Sequence, residues 1–179
     1  LAINLSAATG GALVIVNSVV FVQAKFGLGQ QHLALALAAF GAGSMIVALT
    51  LPRLLDNVPD RPVMLAGAAT LTLATAAAAL ANTLPVLMGV WLVIGAGYSM
   101  ALTPSGRLLL RSAASEDRPA LFAAQFALSH ACWLLTYPLA GWLGSRLGLG
   151  PASLILAAIA AAGLFAAMLV WPHETAEKT

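Results

Sequence analysis

The sequence predicts an all-α membrane protein in which six transmembrane helices form one bundle. Of its 179 residues, 61% are hydrophobic and only 8% are charged, and the mean hydropathy is +0.95. Soluble domains are about one quarter charged and about half apolar. A water-soluble fold of this length could not bury so much apolar surface in its core. We therefore expect lipid to surround most of the chain.

Six segments are long and apolar enough to cross a bilayer, which requires about 20 mostly apolar residues. The breaks between them are short and rich in proline, glycine, asparagine and aspartate, as turns require. We expect a transmembrane bundle over residues 1–172 and a short cytoplasmic tail at residues 173–179. The predicted spans cover about residues 1–24, 32–52, 62–81, 85–106, 119–143 and 151–171.

The basic residues predict the orientation of these helices, because cytoplasmic loops of membrane proteins are enriched in lysine and arginine. Six basic residues lie in the loops after segments two and four and in the tail, against two in the other loops. Both termini are therefore expected in the cytoplasm of a multi-pass plasma-membrane protein, in particular one of a bacterial inner membrane. The six are Arg53, Arg61, Arg107, Arg111, Arg118 and Lys178, and the two are Lys25 and Arg146.

Composition also excludes several kinds of chemistry. The net charge of +2 comes from a few basic residues, so we predict no nucleic-acid partner. The single cysteine, Cys132, lies in an apolar stretch and is interpreted as a small buried hydrophobe. One cysteine allows neither an intramolecular disulfide nor a cysteine metal cluster. We predict no metal site, no other cofactor and no catalytic residue.

Segment five carries the main candidate for a solute-binding face. Its polar and aromatic side chains recur at helical spacing and fall on one side of the helix. Polar groups are costly in hydrocarbon, so this side should face protein or a water-filled cavity. The alternative is that these groups only join neighbouring helices. The predicted cavity residues are Gln125, Ser129, His130, Trp133 and Tyr137 on segment five, Trp91 and Tyr98 on segment four, and Asn17 and Phe21 on segment one.

His130 is expected at the centre of that face. It lies about eleven residues into its segment, roughly 17 Å along a helix, near the middle of a hydrocarbon core about 30 Å thick. No aspartate or glutamate lies within any predicted span. Histidine changes charge near neutral pH, and an ionisable residue at this depth indicates function. The alternative is a neutral histidine hydrogen-bonded to Tyr98 or to a neighbouring helix.

The loop between segments two and three carries a resemblance to a known family. The major facilitator superfamily has a signature in this cytoplasmic loop: glycine, three residues, aspartate, a basic residue, any residue, glycine and two basic residues. Asp56 and Arg61 match the aspartate and the last basic position. The loop departs from the signature at Pro52 and Pro59, which replace the glycines, and at Asn57 and Asp60, which replace two basic residues.

With its six spans and cytoplasmic termini, the chain resembles the C-terminal half of such a transporter. The resemblance implies a 3+3 inverted repeat of helices and transport of a small-molecule solute by alternating access. It also implies a partner, an N-terminal six-helix half that precedes Leu1. In the N-terminal halves of the family, the loop aspartate and its basic neighbours engage nearby helix ends and stabilise the outward-open state, and the resemblance implies a corresponding cytoplasmic latch here. The corresponding candidates are Asp56, Arg61, Arg107 and Arg111, whose alternative role is to fix topology as solvated charges.

Two other classes of membrane protein compete with this interpretation. Rhomboid intramembrane proteases also have a six-helix core, with a Gly-x-Ser nucleophile on the fourth helix and a histidine on the sixth. Gly97, Tyr98 and Ser99 supply that tripeptide on segment four, but His130 lies on segment five. Nucleophilic catalysis requires the histidine within hydrogen-bond reach of the serine. The remaining alternative is a channel or a structural bundle of helices.

Overall fold

A computed structural model describes residues 1–171, which form seven helices with no strand among them. Six stretches of helix are long and apolar enough to cross a membrane, as predicted. The tail predicted at residues 173–179 lies outside the described residues. The helices are α1 (Ala2–Val19, continued by a π-helical turn at Val20–Lys25), α2 (Gln30–Leu55), α3 (Asp60–Ala77, continued by a 3₁₀ turn at Ala78–Leu80), α4 (Leu84–Leu102), α5 (Ser105–Ser112), α6 (Arg118–Leu147) and α7 (Leu149–Val170).

The predicted spans agree with these helices to within a few residues, except for the fourth. Helix α4 ends at Leu102, and Pro104 separates it from the short helix α5. Proline has no backbone N–H and its ring clashes with the preceding turn, so a helix kinks or breaks at this residue. The span predicted at residues 85–106 therefore corresponds to one complete helix and the first residues of another.

Helix α1 is the buried centre of the bundle, in contact with α3, α4, α6 and α7. Its middle is rich in alanine and glycine, which let neighbouring backbones approach closely in membrane proteins. Side-chain hydrogen bonds add to this packing. Ser6 Oγ donates to the Ala160 carbonyl of α7 at 2.7 Å, and Thr136 Oγ1 of α6 donates to the Ala8 carbonyl at 3.3 Å.

Helices α2 and α4 are in backbone contact through two glycines. A Cβ atom placed on Gly43 would overlap the Leu92 carbonyl group, and one placed on Gly95 would overlap the Phe40 carbonyl group. Each glycine thus lies against the backbone of the other helix, where a larger side chain does not fit. This crossing is the main attachment of α2 to the bundle.

A lysine joins α1 to the α3–α4 connection at the end of the bundle opposite Leu1. The π-helical turn is closed by Phe26 N, which donates to the Phe21 carbonyl at 3.1 Å. At the end of that turn, Lys25 Nζ donates to the Ala81 carbonyl at 2.8 Å and to Asn82 Oδ1 at 3.1 Å. The turn therefore brings the lysine to two acceptors on the neighbouring connection.

Helices α2 and α6 are the least buried of the six spans. Only 6% of the residues in the apolar stretch of α6 and 11% of those in α2 are buried, against 72% in α1. Both helices expose large apolar side chains, for example Leu49 on α2 and Leu134 on α6. Two of the six spans thus contribute little to the core that the described residues form.

Candidate functional site

An open cavity lies at the end of the bundle where α1 begins. Its volume is about 450 Å³, which is within the range of about 300–1,000 Å³ that is typical of small-molecule sites. Four helices supply its wall. These are α1 with Asn4 and Ala7, α4 with Tyr98 and Leu102, α5 with Ser105, Gly106 and Leu109, and α6 with Phe122, Gln125, Phe126, Ser129 and Trp133.

Four of the residues predicted from helical spacing lie in the wall of this cavity: Tyr98, Gln125, Ser129 and Trp133. Tyr98 also packs edge-on against Phe40 of α2, with ring centroids 5.8 Å apart. The three spans that the sequence singled out are therefore adjacent at this end of the bundle. The part that these four side chains play in binding a solute stays a prediction.

Aromatic rings form a continuous row along one side of α6. The ring centroids of Phe126 and His130 are 3.8 Å apart, and those of His130 and Trp133 are 5.1 Å apart. Trp133 and Tyr137 are stacked, with centroids 6.1 Å apart and an angle of 7° between the rings. Spacings of three and four residues place successive members on the same side of a helix. The row starts in the cavity wall and continues along α6 beyond it.

His130 lies exposed on this row and bonds to its own helix. Its Nδ1 is 2.8 Å from the Phe126 carbonyl oxygen, one turn earlier. A carbonyl oxygen only accepts hydrogen bonds, so Nδ1 carries a proton and donates it. In a neutral ring Nε2 is then an acceptor. The expected alternative, a hydrogen bond to Tyr98 or to a neighbouring helix, is not formed among the described residues, where the hydrogen bonds of His130 stay within α6.

Asn17, Phe21 and Trp91 do not line a cavity, and their prediction as cavity residues is corrected by the structure. All three are at most 1% exposed. Trp91 Nε1 donates to Ser18 Oγ at 2.7 Å, and Asn17 Nδ2 donates to the Ala140 carbonyl at 3.2 Å. These polar groups join α1 to α4 and α6. Polar groups that are satisfied by a neighbouring helix do not require a water-filled space.

Asn4 lines the cavity although the sequence analysis did not select it. The residue is 7% exposed, and its Nδ2 has no hydrogen-bond partner among the described residues. Asn4 lies seven residues before Gly11, which packs against the Tyr98 ring. Residues seven apart lie on the same face of a helix. An asparagine seven residues before a glycine, on the same face of α1, was the sequence signal that could have identified Asn4 as a cavity residue.

A buried aspartate at the same end of the bundle holds two arginines of α5. The side chain of Asp60, the first residue of α3, is 2% exposed. Arg111 Nη1 lies 3.1 Å from Asp60 Oδ2, and Arg107 Nε lies 3.6 Å from Asp60 Oδ1. Within residues 1–171, Asp56 is exposed and makes no ion pair. Asp60 and not Asp56 therefore pairs with the arginines of α5: Asp56 follows the last residue of α2, whereas Asp60 begins α3.

Two further arginine contacts extend this charged cluster to the ends of other helices. Arg107 Nη2 donates to the Leu55 carbonyl at the end of α2, at 3.4 Å, and Arg61 Nη2 donates to the Trp171 carbonyl after α7, at 3.3 Å. Carbonyl groups at the C-terminal end of a helix carry partial negative charge and attract cations. The cluster of Asp60 with Arg61, Arg107 and Arg111 thus joins the ends of α2, α3, α5 and α7.

Ser99 and His130 are not arranged as a nucleophile and its base. Ser99 is buried, and its Oγ lies 3.2 Å from Thr103 Oγ1 on the next turn of α4. His130 is exposed on α6 and bonds the Phe126 carbonyl. The pairing that the rhomboid interpretation requires is not formed by the described residues.

Six apolar spans define a multi-pass membrane protein, and the open cavity lined by amide, hydroxyl and aromatic side chains is its candidate solute site. The family model described as Major Facilitator Superfamily matches residues 1–179, and the chain belongs to that family. The resemblance predicted from the loop at residues 52–61 is thereby confirmed. Members of the family are in general secondary transporters and not enzymes. A comparison with curated proteins gave no match.

Proposed function

We propose that this chain is the C-terminal half of a secondary transporter that moves a small-molecule solute by alternating access. Residues 1–172 form one half of the transport unit, and an N-terminal six-helix half precedes Leu1. The solute binds between the two halves near the middle of the membrane, where transporters built from repeats place their sites. The basic loops support an orientation with both termini of this chain in the cytoplasm. The membrane in this proposal is a bacterial inner membrane.

The exposed side of α6 is the observation that carries this proposal. Gln125, His130, Trp133 and Tyr137 combine amide, imidazole and aromatic groups on a helix that the described residues leave largely uncovered. A surface of this kind is unfavourable against lipid, because polar groups in hydrocarbon lack hydrogen-bond partners. A second half that covers α6 and encloses water or solute would supply hydrogen-bond partners for these polar groups.

The charged cluster supports a latch at the cytoplasmic end. Asp60 holds α5 through Arg107 and Arg111, and α5 borders the cavity through Ser105 and Gly106. Breaking these contacts would free α5 to move relative to α3 and would change access to the cavity. In this proposal the cluster stabilises one of the two alternating states. Arg61 contributes by fixing the end of α7.

The test is the accessibility of a cysteine at position 129 from each side of the membrane. The full-length protein carries Cys132→Ser, to remove the native thiol, together with Ser129→Cys in the cavity wall. An impermeant maleimide is applied to right-side-out and inside-out vesicles. We expect labelling from both sides, because each orientation of the cavity is populated in turn.

Two results distinguish the alternatives. In alternating access, a cross-link between the cytoplasmic ends of the helices abolishes labelling from the cytoplasmic side and leaves labelling from the external side. A channel would keep access from both sides, and a structural bundle would allow labelling only from the side on which the cavity opens. The matched control is Phe165→Cys on α7, an exposed apolar position outside the cavity, which should react from neither side.

A further inference from the structure

We propose that the cavity binds an uncharged solute with an aromatic ring and one hydrogen-bonding group, and that Asn4 recognises that group. This inference rests on the proposed transport function, since it names the class of solute that is moved. Three properties of the cavity wall carry it: aromatic rings, lining residues without charge, and a buried amide without a partner.

The aromatic rings of α6 leave surface for another ring. Phe122 and Phe126 line the cavity and remain 39% and 64% exposed. Trp133 lies in the same wall, one turn beyond Ser129. Aromatic rings attract each other in offset or edge-on arrangements with centroids about 4.5–7 Å apart. A planar solute placed against Phe126 or Trp133 would extend the row of rings that α6 already forms.

The part of the wall that residues 1–171 form offers no counter-ion to a charged solute. Among the described residues that line the cavity, none is charged. Arg107 follows the lining residue Gly106, but its guanidinium contacts Asp60 and the Leu55 carbonyl. An ion that leaves water for an apolar site without a partner loses its hydration and gains little in return. An uncharged solute avoids that loss.

Asn4 supplies the polar contact that an uncharged solute needs. More than nine-tenths of the residue is buried, and its Nδ2 has no partner in the described part of the chain. Buried polar side chains in native proteins nearly always have a hydrogen-bond partner. The amide has a donor and an acceptor, and a half-turn about its Cβ–Cγ bond exchanges them. Because Asn4 lines the cavity, a carbonyl, hydroxyl or amide group of the solute can complete its hydrogen bonding.

The experiment uses three probes of similar size with the purified full-length protein, and calorimetric titration measures their affinities. Benzamide has both the ring and the hydrogen-bonding group, cyclohexanecarboxamide lacks the aromatic ring, and benzoate adds a negative charge. We expect benzamide to bind at least about 3-fold more tightly than cyclohexanecarboxamide, because only benzamide can stack on the rings of α6. Benzoate should bind more weakly than both, because its charge remains without a partner.

Asn4→Leu tests the recognising residue. Loss of one hydrogen bond should weaken benzamide binding by about 2- to 10-fold. The melting temperature of the unliganded protein should stay the same or rise, because leucine has a similar size and removes a buried amide that lacks a partner. A residue with only a structural role would lower stability and affinity together. Asn4→Ala provides a second variant, should leucine disturb the packing.

Ser145→Ala is the control, since Ser145 is a polar residue on the exposed surface of α6 outside the cavity and donates to the Trp142 carbonyl of its own helix at 3.0 Å. It should leave the affinity for benzamide unchanged. Tighter binding of benzoate, equal binding of cyclohexanecarboxamide or no binding of benzamide would overturn the solute class. Unchanged benzamide affinity in both Asn4 variants would remove Asn4 from the site. Any of these results, obtained beside two-sided labelling at position 129, would leave the transport function standing.

Discussion

Replacing Gly95 by alanine should force helices α2 and α4 apart and destabilise the protein. A Cβ atom at this position would overlap the Phe40 carbonyl group and lie 3.0 Å from Ser44 N, and both groups belong to the backbone of α2. A backbone group cannot rotate away as a side chain can, so the helices themselves must move. Gly43 makes the reciprocal contact with Leu92 and should respond in the same way.

The size of the effect follows from the packing at this crossing. An extra methyl group forced into a packed interface costs about 1–3 kcal/mol, and backbone obstacles place Gly95→Ala at the upper end. A gap of about 0.5–1 Å also removes a quarter to a half of the dispersion energy of each contact across it. Alanine recovers about 1 kcal/mol through its better helix propensity. We therefore expect the free energy of unfolding to fall by about 2 kcal/mol.

Gly89 is the matched control on the same helix, because nothing lies within 4 Å of a Cβ atom added there. Gly89→Ala should leave the free energy of unfolding unchanged or raise it by up to about 1 kcal/mol. Reversible unfolding of the full-length protein in SDS, followed by circular dichroism, measures both variants. If Gly95→Ala proved as stable as Gly89→Ala, the inferred backbone contact between α2 and α4 would be refuted.

Asp60→Asn should reduce the stabilisation from the charged cluster by about 1.5 kcal/mol. This value is the lower end of the range for hydrogen bonds to charged groups, because the arginine partners of Asp60 are partly exposed. Asp56→Asn should change little, and equal cross-linking between α3 and α5 in both variants would exclude a latch at Asp60. Ala114→Cys should react with an impermeant thiol reagent from the cytoplasmic side and Thr83→Cys from the external side, and the opposite pattern would reverse the proposed orientation. His130→Ala should reduce transport more than thermal stability, because the hydrogen bonds described for His130 stay within α6; normal transport with a lower melting temperature would make it a packing residue.

The positions of the spans could be predicted because the thickness of the bilayer sets the length of an apolar helix. The break between α4 and α5 could not be predicted in this way, because apolar length was the only criterion for a span. Hydropathy continues past Thr103 and Pro104, whereas the helix is interrupted at these two residues, because Pro104 cannot donate the backbone hydrogen bond of the next turn. Apolar length therefore predicts that a segment crosses the membrane but does not predict where its helix is interrupted.

The site could be predicted only where a polar face has no other helix against it. Helical spacing selected Gln125 and Trp133 on α6, which line the described cavity. The same spacing selected Asn17 and Trp91, whose partners are Ala140 and Ser18 on neighbouring helices. Helical periodicity gives the direction in which a side chain points around the axis of its helix. It contains no information on which other helix lies opposite that side chain. Tertiary contacts decided these positions.

The charged cluster shows a limit of matching positions to a signature. The spacing of the loop signature selected Asp56, but the two ends of the loop belong to different helices. Asp60 begins α3 and is carried towards α5, while Asp56 remains at the exposed end of α2. Asp56 and Asp60 are only four residues apart, yet Asp60 forms buried ion pairs and Asp56 is a solvated charge.

The π-helical turn at Val20–Lys25 determines where the length of α1 can change. Its backbone bond from Phe26 N to the Phe21 carbonyl closes a turn that holds one residue more than an α-helical turn. Deleting one residue there would restore an ordinary α-helix and leave the side chains before and after it facing as they do now. A deletion earlier in α1 would rotate all following side chains by about 100° and turn Asn17 away from Ala140. A one-residue deletion in α1, the most buried helix, is therefore best tolerated in the turn at Val20–Lys25.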